Sequence, residues 1–171
     1  NYCDKLPITI CRAPAVYGER DTEIFIYFNT FSKGITTTIG FDKKRVSLIH
    51  ARDLVRGLVM AAESENSTGK IYFITSEKYY TWDEIGKVTA EVLNKKALSI
   101  PVPHPVVYLI ASIAQFFSLF SSKAATLNIE KARDITQSNW ICDAAKAKED
   151  FGFAQEIPLK EGIKATCDWY K

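Results

Sequence analysis

Residues that could perform chemistry are few in this sequence. His50 and His104 are the only histidines, and neither has a second histidine or a cysteine at metal-ligand spacing, so no metal ion is predicted. No tyrosine is followed four residues later by a lysine, and no serine lies in a Gly-x-Ser-x-Gly turn. The eight glycines are too widely spaced for a phosphate-binding loop. The residues alone therefore predict no catalytic site within this chain.

The composition is that of a globular protein. The 171 residues are 47% hydrophobic and 25% charged, which excludes a disordered chain and predicts one domain. The net charge of +2, with no basic run longer than 43–45, gives no reason to expect nucleic acid. Four cysteines without a Cys-x-x-Cys pair, and no secretory leader, predict reduced thiols and a cytoplasmic location. Asn1 in place of methionine indicates that the chain begins within a longer protein.

The elements that would position a site alternate between strands and helices. Short β-branched runs predict three strands, over 8–11, 46–49 and 70–75. Apolar residues at helical spacing predict a helix over 22–31 and a second helix, opened by Asp53, whose core-facing stripe is Leu54, Val55, Leu58, Val59 and Ala62. Thr81 and Glu84 match a capping box that opens a third helix ending near Asn94. This alternation predicts an α/β fold.

The character of the sequence changes after Ile100. Three prolines predict a stiff connection into 106–120, an uncharged run with a thin polar stripe. Fifteen residues of helix extend roughly 22 Å against about 30 Å of bilayer hydrocarbon, so the run is too short to span a membrane well. A buried helix is favoured, and a surface that lies against a membrane is the alternative. Asp143 is expected to cap a helix that ends before Gly152. A last helix over 159–170 is expected to bury one face, formed by Leu159, Ile163, Thr166 and Tyr170.

Five segments carry motifs that are weak singly and specific together. They are 7–18, which ends in Arg-Ala-Pro-Ala-Val-Tyr-Gly, 46–54 (Val-Ser-Leu-Ile-His-Ala-Arg-Asp-Leu), 69–74 (Gly-Lys-Ile-Tyr-Phe-Ile), 140–153 (Trp-Ile-Cys-Asp-Ala-Ala-Lys-Ala-Lys-Glu-Asp-Phe-Gly-Phe) and 159–163 (Leu-Lys-Glu-Gly-Ile). In this order they resemble signatures of the extended short-chain dehydrogenases/reductases, also called the NAD-dependent epimerase/dehydratase family. The resemblance covers nearly the whole chain.

The resemblance implies that the family's cofactor-binding turn and catalytic residues precede the part of the sequence that this chain matches. Members bind NAD or NADP through a Gly-rich turn and react through a Tyr-x-x-x-Lys pair, and both precede the segment that 7–18 resembles. The chain therefore resembles the C-terminal portion only: the end of a Rossmann-like parallel sheet (6–18, 46–63 and 70–75) and a mostly helical substrate-binding lobe (20–45 and 76–171). As a single fragment over 1–171 it is expected to transfer no hydride and to bind no cofactor by itself.

Positions at the first motif are implied to contact the cofactor. Ala13, Pro14 and Val16 occupy the loop that in the family lies against the nicotinamide ring, although a rigid turn after a strand is the structural alternative. Ala15 stands where many sugar-nucleotide members carry a substrate-binding asparagine, and alanine cannot form that hydrogen bond. This departure favours a hydrophobic substrate in the complete enzyme.

Further substrate contacts are predicted from apolar residues and one cation. The candidates are Phe28, Phe31, Ile39 and Phe41, each of which could instead be core, and Arg45. Arg45 lies one residue from the place where sugar-nucleotide members carry an anion-binding arginine, an offset that would turn a strand side chain to the other face. His50 and Asp53 are interpreted as a packed histidine at a strand end and a helix N-terminal charge.

Three functions remain open. The leading interpretation is the substrate-binding portion of an NAD(P)-dependent oxidoreductase that acts on a secondary alcohol or ketone, with a sterol-like or isoprenoid substrate favoured. The alternatives are a sugar-nucleotide epimerase or dehydratase and a noncatalytic dinucleotide-binding scaffold. The expected partner is a small molecule, and the strand over 8–11 would leave an exposed edge through which the chain could self-associate.

Overall fold

The computed structural model describes residues 6–118 and 127–170, and within these ranges the chain forms nine short strands and seven α-helices. The strands are Ile10–Arg12 (β1), Ala15–Tyr17 (β2), Ile35–Ile39 (β3), Arg45–Val46 (β4), Leu48–His50 (β5), Ile71–Phe73 (β6), Tyr80–Thr81 (β7), Leu98–Val102 (β8) and Asn139–Trp140 (β9). The helices are Glu23–Ser32 (α1), Ala51–Glu63 (α2), Trp82–Leu93 (α3), His104–Ser118 (α4), Ile129–Ile135 (α5), Ala145–Phe151 (α6) and Leu159–Trp169 (α7).

Parallel strand pairs confirm the predicted α/β class. β1 pairs with β6, and β2 pairs with β5, both in parallel. The sequence predicted a strand over 8–11 with a rigid turn as one interpretation of the residues after it, but the chain resumes as β2 after a two-residue interruption. Pro14 explains the interruption, because proline has no N–H to donate to a ladder. The resulting bent strand, residues 10–17, pairs successively with two neighbours.

Several local signals are confirmed. The Thr81 hydroxyl accepts the Glu84 N–H while the Glu84 carboxylate accepts the Thr81 N–H, so the predicted capping box opens α3. The Asp143 carboxylate accepts the Ala145 N–H at 2.8 Å, and α6 ends at Gly152, whose φ is +70°. The last helix, α7, buries three of the four predicted residues, and Tyr170 lies just beyond its end.

The predicted core-facing side of α2 is wrong. The buried residues are Asp53, Gly57 and Ala61, which follow one another at four-residue spacing. Val55, Leu58 and Val59 of the predicted stripe are exposed instead. Gly57 explains the choice, because a Cβ there would lie 2.5 Å from Cγ2 of Ile74 and 2.8 Å from Cε2 of Phe153. Glycine lets the helix backbone approach its neighbours closely along this face.

The second half of the chain differs from expectation in two places. Residues 98–102, expected to lead into a stiff connection, form β8 and pair in parallel with β3 over five residues. The helix predicted over 106–120 begins earlier, at His104, and buries only Val107 and Ala111. Leu119 and Phe120 lie outside the described residues. The large apolar side chains on the other side of α4 are exposed. The expectation of a buried helix is therefore wrong for the side opposite Val107 and Ala111.

Three hydrophobic clusters support these elements. The first joins β2, α1, α3 and α7 around Tyr17, Phe28 and Ile163. The second joins the other face of the sheet to α2 and α6 around Ile49, Ile74 and Phe153. The third is small and holds α4 to α5 through Val107, Ala111 and Ala132. Residues along the bent strand alternate between the first two clusters, as the two-residue period of a strand requires.

Candidate substrate cavity

A cavity of about 590 Å³ opens between helices α1, α3 and α5 and the strands β3, β4 and β9. The lining residues used below are Tyr27, Ile39, Lys44, Arg45, Val46, Trp82, Lys131, Ile135 and Trp140. A volume of this order is typical of small-molecule sites, which lie within about 300–1,000 Å³.

Aromatic and aliphatic side chains form much of the cavity wall. The rings of Tyr27 and Trp82 lie 5.4 Å apart. The indole N–H of Trp140 donates to the Asp134 carbonyl at 2.9 Å, which fixes the ring against the end of α5. Ile39, on β3, adds an aliphatic surface. Rigid rings with a few polar groups at the margin are suited to a ligand that carries a large apolar body.

Lys44 is a buried cation that sequence reasoning missed. Its Nζ donates to the carbonyls of Thr136 and Gln137 at 2.7 and 3.0 Å and lies 3.3 Å from the Asp42 carboxylate. Carbonyls at a helix C-terminus carry partial negative charge, so the ammonium group stabilises the end of α5. The sequence shows only a basic triplet at 43–45, in which nothing distinguishes the buried lysine from its neighbours. Lys44 thereby fixes one wall of the cavity.

Arg45 lies at the cavity margin. Its guanidinium lies 5.3 Å from the centre of the Tyr79 ring, and the side chain is exposed. The neighbouring Val46 is buried in the first core cluster and also borders the cavity. Arg45 is thus exposed to solvent and also borders the cavity, where a guanidinium can meet an anionic or polar group.

A hydrogen-bonded group borders a second, smaller cavity of about 330 Å³. The Ser138 hydroxyl donates to the Asp42 carboxylate at 2.7 Å, and this bond, with the Lys44 ammonium, lowers the pKa of that carboxyl. His104 Nε2 lies 3.7 Å from the other Asp42 oxygen. Gly40 adopts φ +77°, a conformation that favours glycine, and a Cβ there would contact the His104 ring. These contacts hold the turn after β3 against the start of α4.

The four predicted residues of the bent strand lie apart from the larger cavity. None of Ala13, Pro14, Ala15 or Val16 lines it. Ala15 packs against the first core cluster and Val16 against the second. Ala13 is exposed just beyond the carboxyl end of β1, which is the position where open parallel sheets bind dinucleotides.

The predicted phenylalanines separate into core and surface. Phe28 and Phe31 are 3% and 4% exposed, and Phe28 belongs to the first core cluster. Phe41 is 80% exposed and borders the smaller cavity. The structure thus brings Ile39 and Arg45 together at the larger cavity and places Phe28, Phe31 and Phe41 outside its lining.

His50 and Asp53 are both buried in structural positions. His50 Nδ1 accepts the Arg52 N–H at 3.3 Å at the start of α2, and burial lowers the pKa of this imidazole. The Asp53 carboxylate accepts the N–H groups of Glu156 and Ile157 and lies 3.2 Å from the Arg56 guanidinium. These bonds join α2 to a segment about a hundred residues away in sequence. Among the described residues, no group of three or more potential ligands could hold a metal ion.

Curated relatives match nearly the whole chain at low identity. A ceramide reductase from Caulobacter vibrioides is 26% identical over 162 residues, which are 95% of this chain and 50% of the relative. A decarboxylating sterol-4-alpha-carboxylate 3-dehydrogenase from Dictyostelium discoideum is 23% identical over 93% of this chain and 49% of the relative. An uncharacterised protein from Sinorhizobium fredii is 27% identical over 96% of this chain and 47% of its own length. The chain thus spans about half the length of these relatives.

Solved structures show the same fold. UDP-glucuronic acid 4-epimerase from Bacillus cereus, in complex with UDP-glucuronic acid and NAD, superposes with a TM-score of 0.69 at 18% identity, over 96% of this chain and 45% of that chain. This chain has the fold of part of an NAD-dependent epimerase. A UDP-glucose 4-epimerase from Thermotoga maritima gives 0.67 over 95% of this chain and 45% of its own. The resemblance to the extended short-chain dehydrogenases/reductases is therefore confirmed at the level of fold, although no family model matches the sequence.

Proposed function

We propose that the chain is the substrate-binding part of an NAD(P)-dependent oxidoreductase that acts on a secondary alcohol or ketone within a lipid-like molecule. The observation that carries the proposal is the aromatic and aliphatic wall of the 590 Å³ cavity. Ceramide and sterol compounds appear in the names of relatives that match at least 93% of this chain. A polar head at the Arg45 margin and an apolar body against Trp82 and Trp140 would satisfy both parts of such a molecule.

The bent strand supplies one wall for a nicotinamide cofactor. Ala13 has a small, exposed side chain beyond the carboxyl end of β1, so the backbone there can be approached closely by a flat ring. Pro14 and Val16 would support that surface from the strand. When bound, NAD(P) supplies or accepts the hydride. The sequence contains neither the Gly-rich turn nor the Tyr-x-x-x-Lys pair, so we expect no hydride transfer by these 171 residues alone.

A sugar-nucleotide substrate is the second candidate. Arg45 and Lys131 lie at the cavity, and a guanidinium is well suited to a pyrophosphate. The proteins with the similar fold include epimerases described in complex with UDP-sugars. Ala15 argues against this candidate, because it packs on the core and has no side-chain hydrogen-bond donor.

Thermal unfolding in the presence of ligand separates the two candidates. A ligand that binds only the native state raises the midpoint by mass action. We expect a soluble short-chain ceramide to raise the midpoint and UDP-glucose to leave it unchanged. The reverse result would overturn the lipid proposal in favour of the sugar nucleotide, and no shift with either ligand would refute both.

Two exposed tryptophans provide a matched pair of variants. Trp140 is 53% exposed and lines the cavity, whereas Trp169 is 54% exposed and lies outside its lining. We expect Trp140→Ala to weaken ceramide binding by about 1–2 kcal/mol through the loss of the ring surface, and Trp169→Ala to leave binding unchanged. Equal effects of the two substitutions would show that the ligand does not occupy this cavity.

A further inference from the structure

Trp82 lies where three cavities meet. Its indole ring lines the larger cavity of about 590 Å³, the smaller cavity of about 330 Å³ and a third cavity of about 420 Å³. Thr38, on β3, belongs to the same three linings. We call the side chains of Trp82 and Thr38 the partition. The size of these two side chains therefore decides whether the three spaces are separate or joined.

The third cavity offers apolar surface to a chain that crosses the partition. The residues that supply this surface are Tyr27, Phe31, Ala90 and Ala97. Its charged lining residues, Asp83, Lys87 and Lys96, are exposed, so their charges can remain in water. The smaller cavity differs, because the ion pair of Asp42 and Lys44 borders it. Since hydrocarbon beside charged groups costs free energy, an apolar chain should enter the third cavity.

Packing alone holds the Trp82 ring in place. It lies 5.4 Å from the ring of Tyr27 and packs, half-buried, against the first core cluster. Within residues 6–118 and 127–170 its N–H donates to no other group of the protein, whereas the Trp140 N–H donates to the Asp134 carbonyl. The Thr81 capping box fixes the backbone at the start of α3. A smaller side chain at position 82 should therefore change the partition without moving the helix.

We propose that Trp82 is a specificity-determining residue that limits the length of the apolar chain accepted by the larger cavity. With the indole in place, a chain that fills this cavity ends at the partition. A smaller side chain at position 82 joins the larger cavity to the third cavity, so further methylene groups are buried instead of remaining in water. Each buried methylene favours binding by about fourfold. This inference rests on the proposed lipid-like substrate.

Two ceramides of different length test the partition. The affinities of the short-chain ceramide and of a soluble ceramide with a longer acyl chain are measured by calorimetry below their aggregation limits. The ratio of the two dissociation constants, short-chain over long-chain, is called the chain-length ratio here. It cancels the contacts that both ligands make. The test variants are Trp82→Ala and Trp82→Leu, and thermal midpoints verify that each variant folds.

Two further variants serve as controls. Trp140→Ala also removes an indole from the larger cavity, but Trp140 lines neither the smaller nor the third cavity. It should weaken the binding of both ceramides and leave the chain-length ratio unchanged. Ala90→Leu adds bulk to the third cavity. Combined with Trp82→Ala, it should return the chain-length ratio to the wild-type value.

The expected result is a chain-length ratio at least about tenfold above wild type in Trp82→Ala and a smaller increase in Trp82→Leu. A wild-type ratio in the folded Trp82 variants would overturn the inference, as would an equal increase in Trp140→Ala. A ratio that stays high when Ala90→Leu is added would show that the chain does not enter the third cavity. Failure of the wild type to bind either ceramide would refute the proposed function and this inference together, whereas normal binding with an unchanged ratio refutes the inference alone.

Discussion

In one part of the molecule buried polar side chains bond distant segments of the chain, whereas another part contains an open cavity with a largely apolar wall. The first part, formed by β1, β2, β5, β6, α2 and α6, is called the sheet region here; there Asp53 bonds residues 156–157, and the Tyr72 hydroxyl donates to Asp150 at 2.6 Å. The second, formed by β3, β8, α4 and α5, is called the outer region, and its core is the small third cluster.

The difference indicates that stability and ligand recognition are separated in space. Side chains of the sheet region have long-range partners that would be left unsatisfied by substitution. The outer region has large exposed surfaces and a cavity, so many of its side chains can change without loss of packing. Substitutions in the two regions should therefore differ in what they alter: the free energy of unfolding in the first, and binding in the second.

The largest effect is expected at Asp53. Asp53→Ala removes the acceptor of two backbone N–H groups and the partner of Arg56, all in a buried setting. We expect the free energy of unfolding to fall by about 3 kcal/mol, measured by urea denaturation. Glu63→Gln, at an exposed position on the same helix, should change it by less than about 0.5 kcal/mol. Equal changes in the free energy of unfolding for the two variants would show that the Asp53 bonds do not stabilise the fold.

Replacing glycine by alanine should change the free energy of unfolding in opposite directions at two helical positions. Gly57→Ala places a Cβ against Ile74 and Phe153, so we expect overpacking to lower the free energy of unfolding by about 1–3 kcal/mol. Gly86→Ala on α3 meets only Tyr27 Oη, at 3.4 Å, and Phe31 at 4.0 Å, both ordinary contacts. At Gly86 we expect the free energy of unfolding to rise by up to about 1 kcal/mol, because alanine favours a helix more than glycine does. A gain at both positions would show that the close approach of α2 is not present in solution.

A pH effect of intermediate size is expected at His50. Burial lowers the pKa of this imidazole from 6.5, so below that pH the unfolded chain binds a proton that the folded chain excludes. Stability should therefore fall on acidification through this range, by at most about 1.4 kcal/mol per pH unit from this group. His50→Asn keeps a residue suited to the N-cap, and it should remove the part of the acid-induced loss of stability that His50 causes. His104→Asn serves as the control and should retain it.

The smallest effect on stability is expected at Phe41. Phe41→Ser removes an 80% exposed ring, so the free energy of unfolding should change by less than about 0.5 kcal/mol. Phe28→Ser, within the first core cluster, should cost several times more. Ceramide binding to the Phe41 variant then tests the predicted contact directly: weaker binding at unchanged stability would establish Phe41 as a substrate residue.

Local backbone chemistry was predictable, and long-range packing was not. The Thr81 capping box and the helix end at Gly152 involve atoms within a few residues of each other, so their signal is contained in a short segment. The buried face of α2 was mispredicted, because hydrophobic spacing favoured Val55 and Val59 while the closeness of Ile74 and Phe153 selected Gly57. The cavity was found only in part, through Ile39 and Arg45.

By itself the sequence determined the alternation of strands and helices, the order of five motifs and hence the resemblance to a dehydrogenase/epimerase fold. The tertiary structure decided which side chains are buried: Lys44 against the end of α5, Asp53 against residues 156–157, and only one side of α4. The physical reason is that hydrogen bonds of caps and turns close within a few residues, whereas burial depends on neighbours contributed by distant parts of the chain.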